Sequence, residues 1–186
     1  MNVQLPLHID KAAFLTWVQG REGRYELAGG RVVMMVGASR NHGIIVGNLF
    51  ALIKAQLDAA AWTVIQDFGL DAGPDTLRYP DIVIDRKGGR GRDATARAPV
   101  LLAEILSPTT AELDLGDKAA EYLQLPSLLA YLVMAQDEPK AWIWVRGDQG
   151  FSSRPTIVSG LDKAIRIAAL NLALPLGAIY AGVEED

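Results

Sequence analysis

Two acidic residues set against apolar segments constrain this chain more than any other feature. Asp81 stands directly before Ile82, Val83 and Ile84, and Glu104 interrupts the otherwise apolar run 100–106. Acidic residues are uncommon in β-strands and are rarely fully buried unless they are paired or bound to a metal. The pattern therefore predicts a site at which a divalent cation supplies the missing positive charge.

Each carboxylate also has a purely structural interpretation. Asp81 could cap a turn at the entrance of its strand, and Glu104 could form an internal ion pair with Lys118 or Arg78. The sequence leaves both interpretations open for either residue alone. The two acids taken together with Lys118 favour the metal site.

The available ligands indicate which metal such a site would hold. The chain has no cysteine and only two histidines, His8 and His42. Disulfides and thiolate metal sites are therefore excluded. Carboxylate oxygens suit hard cations, so we expect Mg²⁺ or Mn²⁺ rather than zinc.

Size and charge set further bounds on the function. Half of the 186 residues are hydrophobic and 22% are charged, so we expect one domain over residues 1–186 with its core at about 24–145. A formal net charge of -4 argues against nucleic-acid binding through overall charge, although a local basic patch is compatible with it. No targeting segment and no apolar run of roughly 20 residues is present, so we expect a cytoplasmic protein without membrane contact.

Hydrophobic periodicity and turn residues predict an α/β order of elements. Gly29 and Gly30 mark a hairpin turn, and Ser39 is a candidate N-cap for a long amphipathic helix. The predicted helices are 11–18, 40–60 and 112–124. The predicted strands are 24–27, 31–36, 62–68, 77–84, 100–106, 130–135, 141–145 and an edge segment at 165–167.

Three further features each allow two interpretations. The glycine-rich loop 86–92 carries Arg86, Lys87, Arg90 and Arg92, and it is either a solvated turn or a loop that contacts phosphate. His42, in the first turn of the long helix, is either a capping or surface residue or part of a phosphate contact. Lys118 could pair with Asp114 on an exposed helix face, or it could lie over the end of the Glu104 strand.

An ordered set of short motifs lies within the stretch from Arg24 to Val145. Its members are Tyr25-Glu26-Leu27, Gly30, Ser39, His42, Tyr79-Pro80-Asp81, Glu104-Ile105-Leu106-Ser107-Pro108, Asp114, Lys118 and Tyr122. In this order the motifs resemble the Uma-type family of restriction-endonuclease-like proteins, within the PD-(D/E)XK nuclease superfamily. Any one motif is weak evidence, whereas the ordered set is fairly specific.

The resemblance implies a restriction-endonuclease-like core, in which a central mixed sheet is flanked by helices and preceded by an N-terminal hairpin. It implies that Asp81 and Glu104 hold the metal and that Glu26 is an additional acidic residue of the site. The superfamily's lysine normally follows the second acid by two residues, where this chain has Leu106. Lys118 is the candidate replacement.

Two functions of different classes fit these expectations. The first is a magnesium-dependent nuclease acting on DNA or RNA, with Asp81, Glu104, Lys118 and Glu26 as its catalytic residues. The second is a nuclease-like fold without turnover that serves as a binding or assembly module, which the acidic net charge and Leu106 favour.

The placement of basic residues separates these two hypotheses. A nuclease gains support if the basic residues gather around the carboxylates, and a binding module gains support if they scatter. The residues concerned are Arg40, Arg78, Lys87, Arg90 and Arg92, and we expect all of them but Arg40 to contact nucleic acid together with His42. We also expect a homodimer, for which the apolar segment Trp142-Ile143-Trp144 could be an interface as easily as core.

Overall fold

A six-stranded mixed sheet forms the centre of the protein, and the computed structural model describes residues 8–35, 37–106 and 115–184. Its strand order is β10-β9-β8-β7-β6-β3. Within the described ranges the elements are α1 (Lys11–Trp17), β1 (Tyr25–Ala28), β2 (Arg31–Met34), α2 (Arg40–Gln56), β3 (Trp62–Gln66), β4 (Leu70–Gly73), β5 (Thr76–Arg78), β6 (Ile82–Arg86), β7 (Pro99–Ile105), α3 (Asp117–Tyr122), β8 (Ala130–Met134), β9 (Lys140–Val145), β10 (Thr156–Ser159), β11 (Ala164–Ile167), β12 (Leu172–Pro175) and α4 (Leu176–Ile179).

The pairing of β7 with β8 makes the central sheet mixed. These two strands run parallel, and α3 lies in the connection between them. All other neighbours in the sheet pair antiparallel. Parallel strands need a long crossover, which commonly contains a helix. The predicted mixed sheet is therefore confirmed.

A smaller, four-stranded sheet carries the N-terminal hairpin, in the order β2-β1-β5-β4. Gly29 and Gly30 form the turn between β1 and β2, with φ angles of 53° and 79°. Positive φ at both central residues is the requirement of the tightest hairpin turns, and glycine meets it without strain. The hairpin prediction is confirmed.

Both faces of the central sheet are buried. One face packs against α2, and the other packs against α3. The first face includes Ile82, Ile84, Leu101, Ala103, Ile105 and Ile143, and the second includes Val83, Leu102, Tyr131, Val133 and Trp144. Burial on both faces explains why these strands are almost continuously apolar. Ile143 and Trp144 therefore belong to the core of a single chain.

The predicted single strand 77–84 is wrong. The chain forms β5 in the small sheet, leaves it after Arg78, and enters β6 of the central sheet at Ile82. Pro80 lies in the connection, where its missing N–H breaks no strand ladder. The segment Leu70–Gly73, which is absent from the predicted strands, is β4 and pairs with β5 through a hairpin.

Several predicted boundaries change in the structure. The long helix begins at Arg40 as expected, with the Ser39 side chain accepting from the His42 amide, but it ends at Gln56 instead of about 60. Ser107, Pro108 and Asp114 lie outside the described residues. Among the described residues, no helix is both long and apolar enough to cross a membrane.

Asp85, which the sequence analysis did not single out, ties the loop between β6 and β7 to the sheet. This side chain is 5% exposed. One carboxylate oxygen accepts hydrogen bonds from the amides of Arg86 (3.0 Å) and Ala98 (2.8 Å), and the other accepts from the amide of Arg97 (3.0 Å). Buried N–H groups need such acceptors, so Asp85 replaces a missing strand partner for the loop.

We predict that Asp85→Ala lowers the free energy of unfolding by about 2 kcal/mol, because it leaves three partly buried N–H groups without their acceptor. Asp85→Asn, which keeps one acceptor oxygen, should have a smaller effect. Urea denaturation measures both, with the exposed Asp162→Ala as a control that unfolds like wild type. An unchanged midpoint for Asp85→Ala would contradict this role.

Candidate functional site

The structure brings Asp81 and Glu104 together at one end of the β6–β7 pair. Ile82 lies opposite Ala103 in this antiparallel ladder, so the two acids occupy the next positions along it. The Ile105 amide donates to Asp81 Oδ2 at 2.7 Å. The carboxylates thus project from neighbouring strands at the same edge of the central sheet, and the Asp81 side chain is 13% exposed.

Lys118 lies over the end of β7 and pairs with Glu104. The distance from Lys118 Nζ to Glu104 Oε1 is 3.0 Å, and both residues are 4% exposed. Lys118 is therefore not simply one half of an exposed ion pair on the helix surface. Leu106, at the superfamily's usual lysine position, is buried in the apolar cluster with Val83 and Leu102. The ammonium group reaches the acid from α3 instead of from the strand.

Tyr122, one turn after Lys118 on α3, donates its hydroxyl to the same Glu104 oxygen at 3.0 Å. Burial, together with the nearby charge of Glu104, raises the pKa of Tyr122 well above its ordinary value of 10.0. The phenol therefore stays protonated and remains a donor. Two donors from one helix face hold Glu104 in a single orientation.

Glu26 lies on the far side of Lys118. Its Oε1 accepts from the Tyr79 amide at 2.9 Å and is 3.8 Å from Lys118 Nζ. Glu26 has no cross-strand pairing with Arg31, because Arg31 lies opposite Ala28 and Val33 lies opposite Glu26. Glu26 instead joins the small sheet to the site, since the ammonium of Lys118 stands between the two glutamates.

Arg78 requires a correction. It was predicted to contact nucleic acid, but it is 1% exposed and holds Glu26 Oε2 at 3.2 Å. Its guanidinium also makes a bidentate contact with Glu121 of α3. Nε donates to Oε2 at 2.8 Å, and Nη2 donates to Oε1 at 2.7 Å. Burial opposes its charge, but the hydrogen bonds and charge of Glu121 outweigh this and raise the pKa of Arg78. The residue is an internal cation, out of reach of a macromolecular ligand.

His42 adjoins Asp81 on the other side of the site. Its Nε2 is 3.2 Å from Asp81 Oδ2, while its backbone amide donates to the Ser39 hydroxyl. Burial lowers the pKa of His42, but the hydrogen bond and the charge of Asp81 prevail and leave that pKa above its ordinary value of 6.5. The imidazole therefore couples to a candidate metal ligand, beyond its place in the helix cap.

The other basic residues expected to contact nucleic acid, all in the glycine-rich loop, lie away from the carboxylates. Arg40 pairs with Glu184 at 2.9 Å. Lys87, Arg90 and Arg92 are exposed in the loop that follows β6, whereas Asp81 precedes that strand. The loop thus lies at the opposite end of β6 from the acids.

The donor set of the site fits a magnesium-like ion better than zinc. Across residues 8–35, 37–106 and 115–184, no group of three or more histidine, aspartate or glutamate side chains could hold a metal by itself. Magnesium commonly binds to one or two carboxylates and completes its octahedron with water and substrate phosphate. Asp81 and Glu104 match that arrangement, whereas a closed zinc site needs four protein ligands.

Glu121 is the site residue that sequence reasoning missed. It shares one face of α3 with Lys118 and Tyr122, at three- and four-residue spacing. That spacing is a local signal that the residue faces the site. Its partner Arg78 lies on β5, however, and only the packing of the two elements reveals the pair.

A mixed sheet that carries two carboxylates and a lysine at one edge defines a restriction-endonuclease-like protein. The family model of Uma2, described as "Putative restriction endonuclease", matches residues 12–177. The chain belongs to this family. The resemblance inferred from the ordered motifs is confirmed.

Two relatives from Synechocystis sp. align with much of the chain. "Uncharacterized protein slr1290" is 27% identical over 174 residues, covering 91% of this chain and 90% of its own length. "Uncharacterized protein sll1609" is 28% identical over 116 residues, covering 60% of this chain and 66% of its own length. The similarity to the first relative therefore extends over nearly the whole of both proteins.

A crystal structure from Anabaena variabilis shows the same fold. It is described as "a putative nuclease belonging to DUF820" and superposes with a TM-score of 0.78 at 15% identity. The match covers 95% of this chain and 99% of the other. At this identity the likeness establishes the fold, and it confirms the predicted fold class.

We predict that Arg78→Met lowers the free energy of unfolding by about 3–5 kcal/mol, because it leaves two glutamates without their shared buried cation. Arg78→Lys should be intermediate, since lysine cannot reproduce the two-pronged contact with Glu121. Denaturant midpoints measure the effect, with the exposed Arg154→Met as the matched control. The network would lose its structural importance if Arg78→Met and Arg154→Met unfolded at the same midpoint.

Proposed function

We propose that this protein is a divalent-metal-dependent phosphodiesterase that cleaves nucleic acid, with Asp81 and Glu104 as ligands for Mg²⁺ or Mn²⁺. One observation carries the proposal: the two carboxylates stand side by side at the sheet edge, with Lys118 Nζ 3.0 Å from Glu104. Hydrolysis of a phosphodiester needs an activated water and a positive environment for the charge that develops on phosphorus-bound oxygens. Metal ligands and an ammonium group together meet both needs.

Each residue has a distinct part in this proposal. A bound metal would lower the pKa of its water and polarise a phosphoryl oxygen. Lys118 contributes a fixed positive charge that stabilises the transition state or orients the nucleophile. Glu26 holds that ammonium from the opposite side, at 3.8 Å. Tyr122 fixes the orientation of Glu104, as partners of metal ligands commonly do.

His42 acts on Asp81 in the same scheme. Its contact at 3.2 Å orients the carboxylate. In its protonated form, the imidazole adds a positive charge at the edge of the site, where it can also attract a phosphate group. The family description supports nucleic acid as the substrate class, and it does not distinguish DNA from RNA.

A second candidate is a nuclease-like module that binds nucleic acid or a partner without turnover. Two observations favour it: Leu106 occupies the usual lysine position, and the basic residues of the glycine-rich loop lie at the opposite end of β6 from the acids. This candidate predicts metal and nucleic-acid binding without any cleavage product. Prolonged incubation of DNA and of RNA with the protein and Mn²⁺ separates the two candidates.

The metal assignment predicts that Asp81→Asn and Glu104→Gln each weaken Mn²⁺ binding by more than about tenfold, because each removes a charged oxygen ligand. Isothermal titration calorimetry measures the affinities. The exposed Asp162→Asn and Glu138→Gln change charge equally elsewhere and should bind Mn²⁺ like wild type. If both site variants retained wild-type affinity, the assignment would be wrong.

The catalytic assignment predicts that Lys118→Met slows metal-dependent cleavage by about 10²–10³-fold, because the transition state loses a positioned cation. Gel assays with DNA and RNA measure the rate, and thermal unfolding establishes that the variant is folded. The exposed Lys163→Met is the control and should cleave at the wild-type rate. Equal rates for a folded Lys118→Met variant and wild type would remove this lysine from the mechanism.

A further inference from the structure

A cavity of about 250 Å³ lies beneath the glycine-rich loop after β6, away from the carboxylate pair. Arg86, Lys87, Arg90 and Arg97 line it together with the backbone of the loop glycines, and all four side chains belong to exposed residues. Asp85 forms part of its wall and fixes both ends of the loop by accepting amide hydrogen bonds. The buried Asp85 side chain therefore fixes the shape of the loop that covers the cavity.

The acidic residues of this loop leave most of its positive charge uncompensated. Asp85 accepts only backbone amides, and Asp93 accepts the Arg90 amide at 2.8 Å. Arg97 reaches Asp93 only at 4.0 Å. In the described part of the chain, no carboxylate lies within ion-pair distance of the Lys87 or Arg90 side chains. Like charges crowded around one cavity repel each other, and a bound anion relieves that repulsion.

The cavity opens on the same face of the central sheet as Glu104. Thr63 and Asp85 form one pair across β3 and β6, and Ile65 and Val83 form another. Side chains two residues apart share a face. Val83 in turn lies opposite Leu102, two residues before Glu104. The acids and the cavity therefore lie at opposite ends of β6, on the same face of the sheet.

We propose that this cavity binds a backbone phosphate of the nucleic acid, with Lys87 and Arg90 as its principal contacts, at a position remote from the scissile bond. The proposal rests on the proposed function for its choice of substrate. Five residues of strand separate Asp81 from Arg86, a distance of about 16 Å at 3.3 Å per residue. Along a duplex, which rises 3.4 Å per base pair, this corresponds to about five base pairs.

The separation distinguishes large substrates from small ones. A small chromogenic diester such as bis(4-nitrophenyl) phosphate can occupy the metal site but cannot span the distance to the loop. A polynucleotide can contact both. Removing the loop charges should therefore impair only the polynucleotide, whereas damage to the metal site impairs both substrates.

The test compares Lys87→Gln/Arg90→Gln with Lys163→Gln/Arg154→Gln, a control pair of exposed residues that makes the same change in net charge. The first arm measures binding to a labelled DNA duplex of about 20 base pairs, longer than the span by its rise of 3.4 Å per base pair. Fluorescence anisotropy is recorded in EDTA across a series of salt concentrations. A labelled RNA of the same length is measured in parallel.

We expect the loop variant to bind about tenfold more weakly than the control, with a salt dependence reduced by about two units of slope, because two phosphate contacts are lost. The second arm measures KM and kcat with Mn²⁺. The loop variant should raise KM for the polynucleotide and leave the small diester unaffected.

Equal affinity and equal salt slope for the loop and control variants would overturn the inference, as would wild-type protein that binds neither nucleic acid. An equal loss of activity on both substrates would also overturn it, because the loop would then be acting on the metal site. Failure of the proposed function is distinguishable. In that case no substrate is cleaved, whether or not metal binds, while the binding measurement in EDTA still tests the loop.

Discussion

A row of alternating buried charges connects the elements on which this structure depends. Glu104 on β7 binds Lys118, which lies beside Glu26 on β1, and Glu26 in turn binds Arg78 on β5. Arg78 also binds Glu121 on α3, which is the last member of the row. Each ion would be costly to bury alone, and the alternation of sign gives each a partner. Because the row joins the small sheet, the central sheet and α3, it also fixes the position of the ammonium group beside the candidate metal ligands.

This arrangement explains how a site without the usual in-strand lysine can retain the same chemical groups. Leu106 is committed to the apolar cluster under α3, so a charge at that position would be buried among hydrocarbon. Lys118 enters from the helix and reaches Glu104 through space. The same ion pair also neutralises part of the acid's charge. Under the proposed function, a metal ion would compete with Lys118 for Glu104, while Tyr122 and Glu26 hold the two partners of that pair.

The sequence predicted those parts of the site whose signal is local. An acid inside an apolar strand is unusual wherever it occurs, and Asp81 and Glu104 could be paired on that basis together with the family resemblance. Arg78 could not be placed, because its burial depends on glutamates from two distant elements. The predicted strand 77–84 failed for a related reason: hydrophobic periodicity continues through Pro80 although the chain passes from one sheet to the other. Asp85 also follows an apolar run, but its partners are backbone amides, which no residue type in the sequence marks.

We propose above all that Asp81 and Glu104 share a divalent metal. Anomalous diffraction from a crystal soaked in Mn²⁺ tests it most directly, because the signal locates the ion independently of any activity. We expect a peak between the two carboxylates, at about 2.0–2.4 Å from an oxygen of each, as is usual for an ion of this kind. A fully occupied manganese position elsewhere, with no peak between Asp81 and Glu104, would contradict it.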